Sequence, residues 1–237
     1  MRQKWRDLLF VHWAVPPEVL RRHVPPQLEL DLFQGTAYIG LVPFTMTGVR
    51  PVGLPPVWGL SSFHETNLRT YVRFGSSDPG VWFFNLEAAN SIAVRLARAW
   101  FHLPYHRASM FLEHERPPPH QPAALPTIIY AGVRRWPGPL PASYTIRATP
   151  IGAPRFAQPG TLEHFLIERY ALYTLANNQI FEGQVYHTPY PIHSANLHSI
   201  NENILASWEI ERPDSAPLTH YSQGVDVDVF ALRRAAP

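Results

Sequence analysis

The sequence predicts an α+β fold dominated by β-structure, with a large curved antiparallel sheet and a few short helices. Three observations predict it. Eleven runs rich in Val, Ile, Thr, Tyr and Phe are bounded by Gly, Pro or Asn, the pattern of strands closed by turns. Proline occurs 26 times in 237 residues, against 13 glycines. Proline is excluded from helix interiors and central strands, so the elements must be short. Helical periodicity is confined to a few segments. A chain that is 46% hydrophobic and only 16% charged is also not a disordered one.

The elements follow in order. Residues 5–15, WRDLLFVHWAV, form the first strand. Their apolar run is short, His12 interrupts it, and no small-residue cleavage site follows, so it is not a signal peptide. A short helix is expected over 17–23. Strands at 28–33 and 36–44 are joined by a tight turn at Gln34-Gly35. Strands at 60–74 and 81–86 come next. Residues 89–102, ANSIAVRLARAWFH, are the best helix. Ile92, Leu96, Ala99 and Leu103 fall on one stripe, and Arg95, Arg98 and His102 share another. Pro104 ends it and directs the residue that follows. Strands at 107–113, 127–135 and 143–149 are separated by Pro-rich connections at 115–126 and 136–141. A helix at 161–169, with Thr161 as its N-cap, leads to strands at 170–175 and 179–187. A helix at 201–208 and a strand at 221–232 close the chain. There is no internal repeat, and neither Pro-rich stretch is long enough for a domain linker. The chain therefore reads as a single domain, 1–237.

Composition excludes several function classes. There is no cysteine, so disulfides, thiolate nucleophiles, Cys-ligated zinc and iron–sulfur clusters are impossible. A cytoplasmic location is expected. Net charge is +2, and no Lys/Arg cluster forms a basic stripe, so no nucleic acid is expected as partner. No run approaches the ~18 apolar residues of a membrane span, and no membrane partner is expected. Lys4 is the sole lysine. Schiff-base chemistry needs a lysine amine held in a pocket, and a residue four positions from a terminus is a poor candidate. GxGxxG, P-loop, GxSxG and HExxH patterns are absent. Neither a metal nor a cofactor is expected.

The densest polar pattern is LSSFHETNLRTYVRF, residues 60–74. Side chains alternate faces along a strand, so Phe63, Glu65, Asn67, Arg69, Tyr71 and Arg73 share one. Glu65 and Arg69 then lie about 13 Å apart, at the usual strand rise, and can flank a ligand with Asn67 between them. Two readings stay open: the solvated face of an edge strand, or the polar wall of a cavity. Tyr105, placed by Pro104, either faces a pocket or packs in the core with its hydroxyl satisfied. His102 and His106 flank it, but Pro104 breaks the helix that a zinc-binding pair needs. Glu168, Arg169, Tyr170 and Tyr173 read as a structural ion pair with packed tyrosines. Asp226 and Asp228 read as a solvated strand face.

Several blocks carry a resemblance. They are WRDLLFVHWAVPPEVLRRHVPPQLELDLFQGTAYIGLVPF, FHETNLRTYV, PGVWFFNLEA, LPYHRASM, LIERYALY and HYSQGVDVDVF, in that order from Trp5 to Phe230. They resemble the YqjF-like proteins, domain of unknown function 2071, of the acetoacetate decarboxylase-like superfamily. The resemblance implies a cone-shaped, mainly antiparallel β-barrel with a pocket inside. Decarboxylases of that superfamily carry a stretch like GRExxGFPKK, in which the first lysine after proline forms the Schiff base. The corresponding stretch here is ARAWFHLPYH, residues 97–106. By this resemblance Arg98 matches the motif arginine and Pro104 the proline. Ala99 replaces the glutamate, and Tyr105 stands at the lysine. Glu65 matches an active-site carboxylate on an earlier strand. A phenol forms no iminium, so decarboxylation by that route should be absent.

The expected function is binding of an unidentified small molecule in an internal pocket, with acid–base chemistry on a small carbonyl or carboxylate compound. Glu65 is the acid–base group and Tyr105 the catalytic hydroxyl. Asn67, Arg69 and Arg98 are the substrate contacts. The alternative is a non-catalytic structural or interaction module, which is then expected to be a homo-oligomer.

Overall fold

The computed structural model describes residues 1–117, 119 and 125–236. Thirteen strands form one sheet. In chain order these are β1 Arg2–Val15, β2 Glu29–Leu30, β3 Ala37–Arg50, β4 Phe63–Arg73, β5 Gly80–Ala88, β6 Tyr105–Glu115, β7 Thr127–Trp136, β8 Ser143–Arg155, β9 Ala171–Ala176, β10 Gln179–Tyr186, β11 Ile192–Glu202, β12 Leu218–Val229 and β13 Arg233–Arg234. Three α-helices interrupt them: α1 Pro17–Arg21, α2 Ser91–Phe101 and α3 Leu162–Ile167. Each of the eleven expected runs contains a strand. The tight turn is present as well: Gln34 and Gly35 both have positive φ, and Phe33 bridges to Thr36. Much of the Pro-rich connection 115–126 lies outside the described residues.

One expectation is corrected. The helix over 201–208 is absent, and a single 3-10 turn, Ala206–Trp208, stands there. The preceding residues form β11, which the sequence reading missed. Its core-facing residues are Ala195, Leu197 and Ile200. A register shift between Leu197 and Ser199 against β8 breaks their period of two, and the alternation that marks a strand is lost.

The sheet is built around five adjacent strands. β12, β1, β3, β4 and β5 run side by side, each antiparallel to the next. The sheet branches at both ends of this run. β5 pairs in parallel with β6 through Leu86–Ala88 and with β9 through Val81 and Trp82. β12 pairs with β11 through His220–Ser222 and with β10 through Asp228 and Val229. One branch continues through β7 and β8, while the other joins β9 directly to β10. Two circuits of pairing thus share the same five strands.

Each face of the shared strands carries its own core. Leu9, Val11, Trp13, Ile39, Leu41 and Leu68 face the β6–β7–β8–β11 branch, where Tyr130, Tyr144 and Ile146 meet them. Leu8, Phe10, Val42, Phe44 and Tyr71 face the other branch, against Leu166, Ile167 and Tyr190. Strands buried on both faces read as continuous apolar runs, which is why LLFVHW and YIGLVPF lack a polar alternation. β4 lies between β3 and β5, so the reading of 60–74 as a solvated edge strand is set aside.

One close approach of two strands requires a glycine. Gly224 of β12 opposes Arg6 of β1 with φ of +128°, and a Cβ there would lie 1.9 Å from the Trp5 carbonyl oxygen. No L-residue with a side chain fits that approach.

Candidate functional site

The second core does not fill its space. A cavity of about 360 Å³ opens beneath β1, β3, β4 and β5, and α2, β9 and β10 contribute to its other walls. Small-molecule sites run from roughly 300 to 1,000 Å³. Trp5, Phe10, Phe44, Phe63, Phe83 and Leu172 give it an apolar lining, and Glu65, Asn67, Arg69 and Tyr105 bring polar groups into it.

Strand register explains how these four meet. Asn67 of β4 is paired with Leu86 of β5, and Leu86 with Tyr105 of β6. Residues in one row across a sheet point to the same face. Glu65 is two residues from Asn67 on β4, and thus on that face too. α2 delivers Tyr105 to its row. Its first turn is capped by Asn90, whose Oδ1 accepts from the Ile92 and Ala93 N–H groups. It ends at His102 in the left-handed region. The Pro104 carbonyl then accepts from Leu86 N at 3.1 Å, and β6 begins at Tyr105.

Glu65 is almost fully buried. Its carboxyl is pushed up to about 8 by burial, partly offset by the hydrogen bond from Tyr105. The Tyr105 hydroxyl donates to Glu65 Oε2 at 2.9 Å. Burial and the neighbouring Glu65 hold the phenol well above its ordinary range. Glu65 is therefore a neutral acid at pH 7, and Tyr105 a neutral phenol.

Arg69 lies four residues along β4. It donates from Nη2 to the Leu166 carbonyl at 3.1 Å, and its guanidinium sits 5.8 Å from the Phe10 ring centroid and 5.9 Å from that of Tyr71. Its Nε is buried without a hydrogen-bond partner, and so is Asn67 Oδ1. Among the described residues no carboxylate reaches ion-pair distance of Arg69. Arg169, which also borders the cavity, differs: its Nη1 pairs with Asp31 Oδ2 at 2.7 Å. Gly40 makes room for His12, which packs beside Arg69. A Cβ there would lie 2.7 Å from His12 Cδ2 and 3.6 Å from Arg69 Cγ. His12 in turn bonds the Tyr71 hydroxyl through Nε2 at 2.8 Å. Burial, Arg69 and His220 all lower its pKa, which keeps it neutral.

Arg98 is the exception among the expected site residues and is corrected here. It does not line the cavity. Its Nη1 donates to the Tyr105 carbonyl at 2.7 Å, and its guanidinium lies 5.8 Å from the Trp136 ring centroid. The reason is its stripe: α2 turns Ile92, Leu96 and Phe101 to the cavity and Arg98 away. Of the expected apolar stripe, Ile92, Leu96 and Leu103 border the cavity and Ala99 does not, and Ile92 and Leu96 are exposed at its mouth rather than packed. The sequence reading also missed Tyr190 as a wall residue. Nothing in its neighbourhood marks it, because its partners come from other elements.

Residues 2–226 match the model of the DUF2071 family, described as an uncharacterized conserved protein. The chain belongs to the DUF2071 family. It is 37% identical over 234 residues to the uncharacterized protein YqjF of Bacillus subtilis (strain 168), covering 99% of this chain and 92% of that one. Solved structures share the fold at low identity. An acetoacetate decarboxylase-like enzyme from Sphingomonas wittichii RW1 is 15% identical with a TM-score of 0.64, over 99% of this chain and 92% of that one. The enduracididine biosynthesis enzyme MppR is 12% identical with a TM-score of 0.65, over 98% and 88%. The acetoacetate decarboxylase of Legionella pneumophila is 13% identical with a TM-score of 0.61, over 100% and 88%. The fold of this DUF2071 chain is thus β-dominated and acetoacetate decarboxylase-like. Its one lysine, Lys4, is exposed on β1 and borders a separate groove beside Asp226 and Asp228. No lysine lines the cavity.

Proposed function

We propose that the cavity binds a small compound carrying a carboxylate or a polarised carbonyl, and that Glu65 is its acid–base group. In this reading the two circuits of pairing form the cone-shaped barrel of the acetoacetate decarboxylase type, and the cavity is its pocket. One observation carries the proposal. Arg69 brings a guanidinium to an apolar cavity with Nε unpartnered and no counter-ion at hand. Arg69 is half-buried, its Nε is buried with no hydrogen-bond partner, and an anionic ligand supplies the missing acceptor. Asn67 Oδ1 is also unpartnered and, as an acceptor, calls for an N–H or O–H donor on the same ligand. MppR, whose fold this chain shares, has been solved with pyruvate, a 2-oxo acid of the chemical class that Arg69 would hold.

The Tyr105–Glu65 hydrogen bond supports an acid–base step in this reading. In its ionised form Glu65 takes a proton from the carbon next to the ligand carbonyl. The electron pair moves to the carbonyl oxygen, and Arg69 stabilises the resulting enolate. The Glu65 carboxylic acid then returns the proton, and Tyr105 holds it through Oε2. The lysine imine route is not part of this reading, because a phenol oxygen forms no imine and Lys4 does not line the cavity.

Proton NMR in heavy water with 2-oxo acids of increasing side-chain size tests the reading. The protein should exchange protons next to the carbonyl for deuterium, faster as pH rises through about 8. Glu65→Gln should lose at least about a hundredfold in rate. Arg69→Met should raise the half-saturating concentration. Borohydride added with the ligand should leave the mass of the chain unchanged. Full exchange by Glu65→Gln would exclude the proposed role.

A further inference from the structure

We propose that the rim of the cavity docks on an anionic membrane surface. The inference stands on the rim alone and does not depend on the chemistry assigned to Glu65. Residues 51–60, PVGLPPVWGL, expose Val52, Leu54, Val57 and Leu60, and Trp58 is 99% exposed. Beside them α2 exposes Ile92 and Leu96, while Val94 is buried. The two segments are physically joined. Asn90, the cap of α2, donates from Nδ2 to the carbonyls of Gly59 and Leu60 at 3.2 and 3.4 Å. Val57, Leu60, Ile92 and Leu96 also border the cavity, so the patch is its mouth. Contiguous exposed apolar surface of this kind marks an interaction site.

Charge selects the partner. Arg50 precedes the exposed segment, and α2 carries the exposed Arg95. No Asp or Glu occurs in residues 48–64 or 88–112. A second copy docking through the same patch would be related by a two-fold axis. That arrangement sets arginine against arginine with no carboxylate in the patch to neutralise them. An anionic bilayer satisfies both features. Its headgroups meet the arginines, and its acyl boundary takes the apolar side chains. A tryptophan at the tip suits the interface, where its ring is buried and its N–H stays hydrated. The absence of a membrane span does not oppose this, since docking needs a patch rather than a span. The cavity mouth then faces the lipid.

Co-sedimentation of the full chain with vesicles tests the proposal. One set is phosphatidylcholine alone, and the other contains phosphatidylglycerol as well. The chain should pellet with the anionic vesicles, far less with the neutral ones, and less as salt is raised. Arg95→Glu should weaken binding by about tenfold. Trp58→Ser should remove most of it while leaving the circular dichroism spectrum unchanged, since Trp58 packs against nothing. Failure to pellet with anionic vesicles overturns the proposal, and so does equal binding by Trp58→Ser. Light scattering that shows a concentration-dependent dimer abolished by Trp58→Ser also overturns it, by assigning the patch to a second copy.

Discussion

Glu65 gives this protein a pH dependence that its burial predicts. An ordinary glutamate ionises near 4.5, whereas Glu65 in the cavity does so at about 8. Between those values the native chain holds a proton that the unfolded chain has released. The stabilisation is complete below about 4.5 and is lost as pH rises through about 8. Each pH unit across that interval is worth about 1.4 kcal/mol. Glu65→Gln has no charge to bury, so its Tm should stay flatter over the same range. At pH 8 it should be the more stable chain, and thermal unfolding across a pH series measures this. Tyr105 acts in the opposite direction, because its hydrogen bond lowers the Glu65 pKa. Tyr105→Phe should therefore raise that pKa further, read by a carboxyl-carbon NMR titration. A lower value would show that Tyr105 is not the donor.

At the scale of elements, β4 is where sequence pattern and structure agree most closely. Its period of two assigned Glu65, Asn67 and Arg69 to one face, and all three border the same cavity. The pattern could not say what covered that face. A solvated face and a cavity wall share one alternation, and only the pairing of β4 on both sides separates them. α2 shows the converse. Its stripes were legible, yet its apolar stripe stays exposed at the cavity mouth and Arg98 turns to the Tyr105 carbonyl. At Gly224 the ladder of β1 and β12 tolerates no side chain. Gly224→Ala would drive a methyl group into the Trp5 carbonyl and force φ of +128° on an L-residue. The strands must separate there, at a cost of about 2–4 kcal/mol. A lower urea midpoint with an unchanged slope is the expected result.

At the scale of the molecule, the shared strands couple the two cores. β12, β1, β3, β4 and β5 carry apolar side chains of the first core on one face and of the second on the other. Neither core can come apart without unpacking the opposite face of the same strands. Unfolding should therefore be one transition, with tryptophan fluorescence and far-ultraviolet circular dichroism coincident. Ile146→Ala, in the fully buried first core, should shift both curves together by about 2–5 kcal/mol. Two separated transitions would show that the branches of the sheet are independent.

Sequence by itself determined the β-dominated class, the eleven strand runs, the Gln34-Gly35 turn and the face shared by Glu65, Asn67 and Arg69. It also determined that no internal lysine is available for imine chemistry. These are local properties, set by residue type and period. Tertiary structure alone decided that Tyr105 meets Glu65 forty positions away, that Arg69 has no counter-ion while Arg169 has Asp31, and that Arg98 lies outside. It also revealed β11, whose alternation a register shift conceals. The physical reason is common to all of them. Periodicity states which side chains share a face, but burial and charge pairing depend on which strands become neighbours. That choice is made by the whole sheet at once.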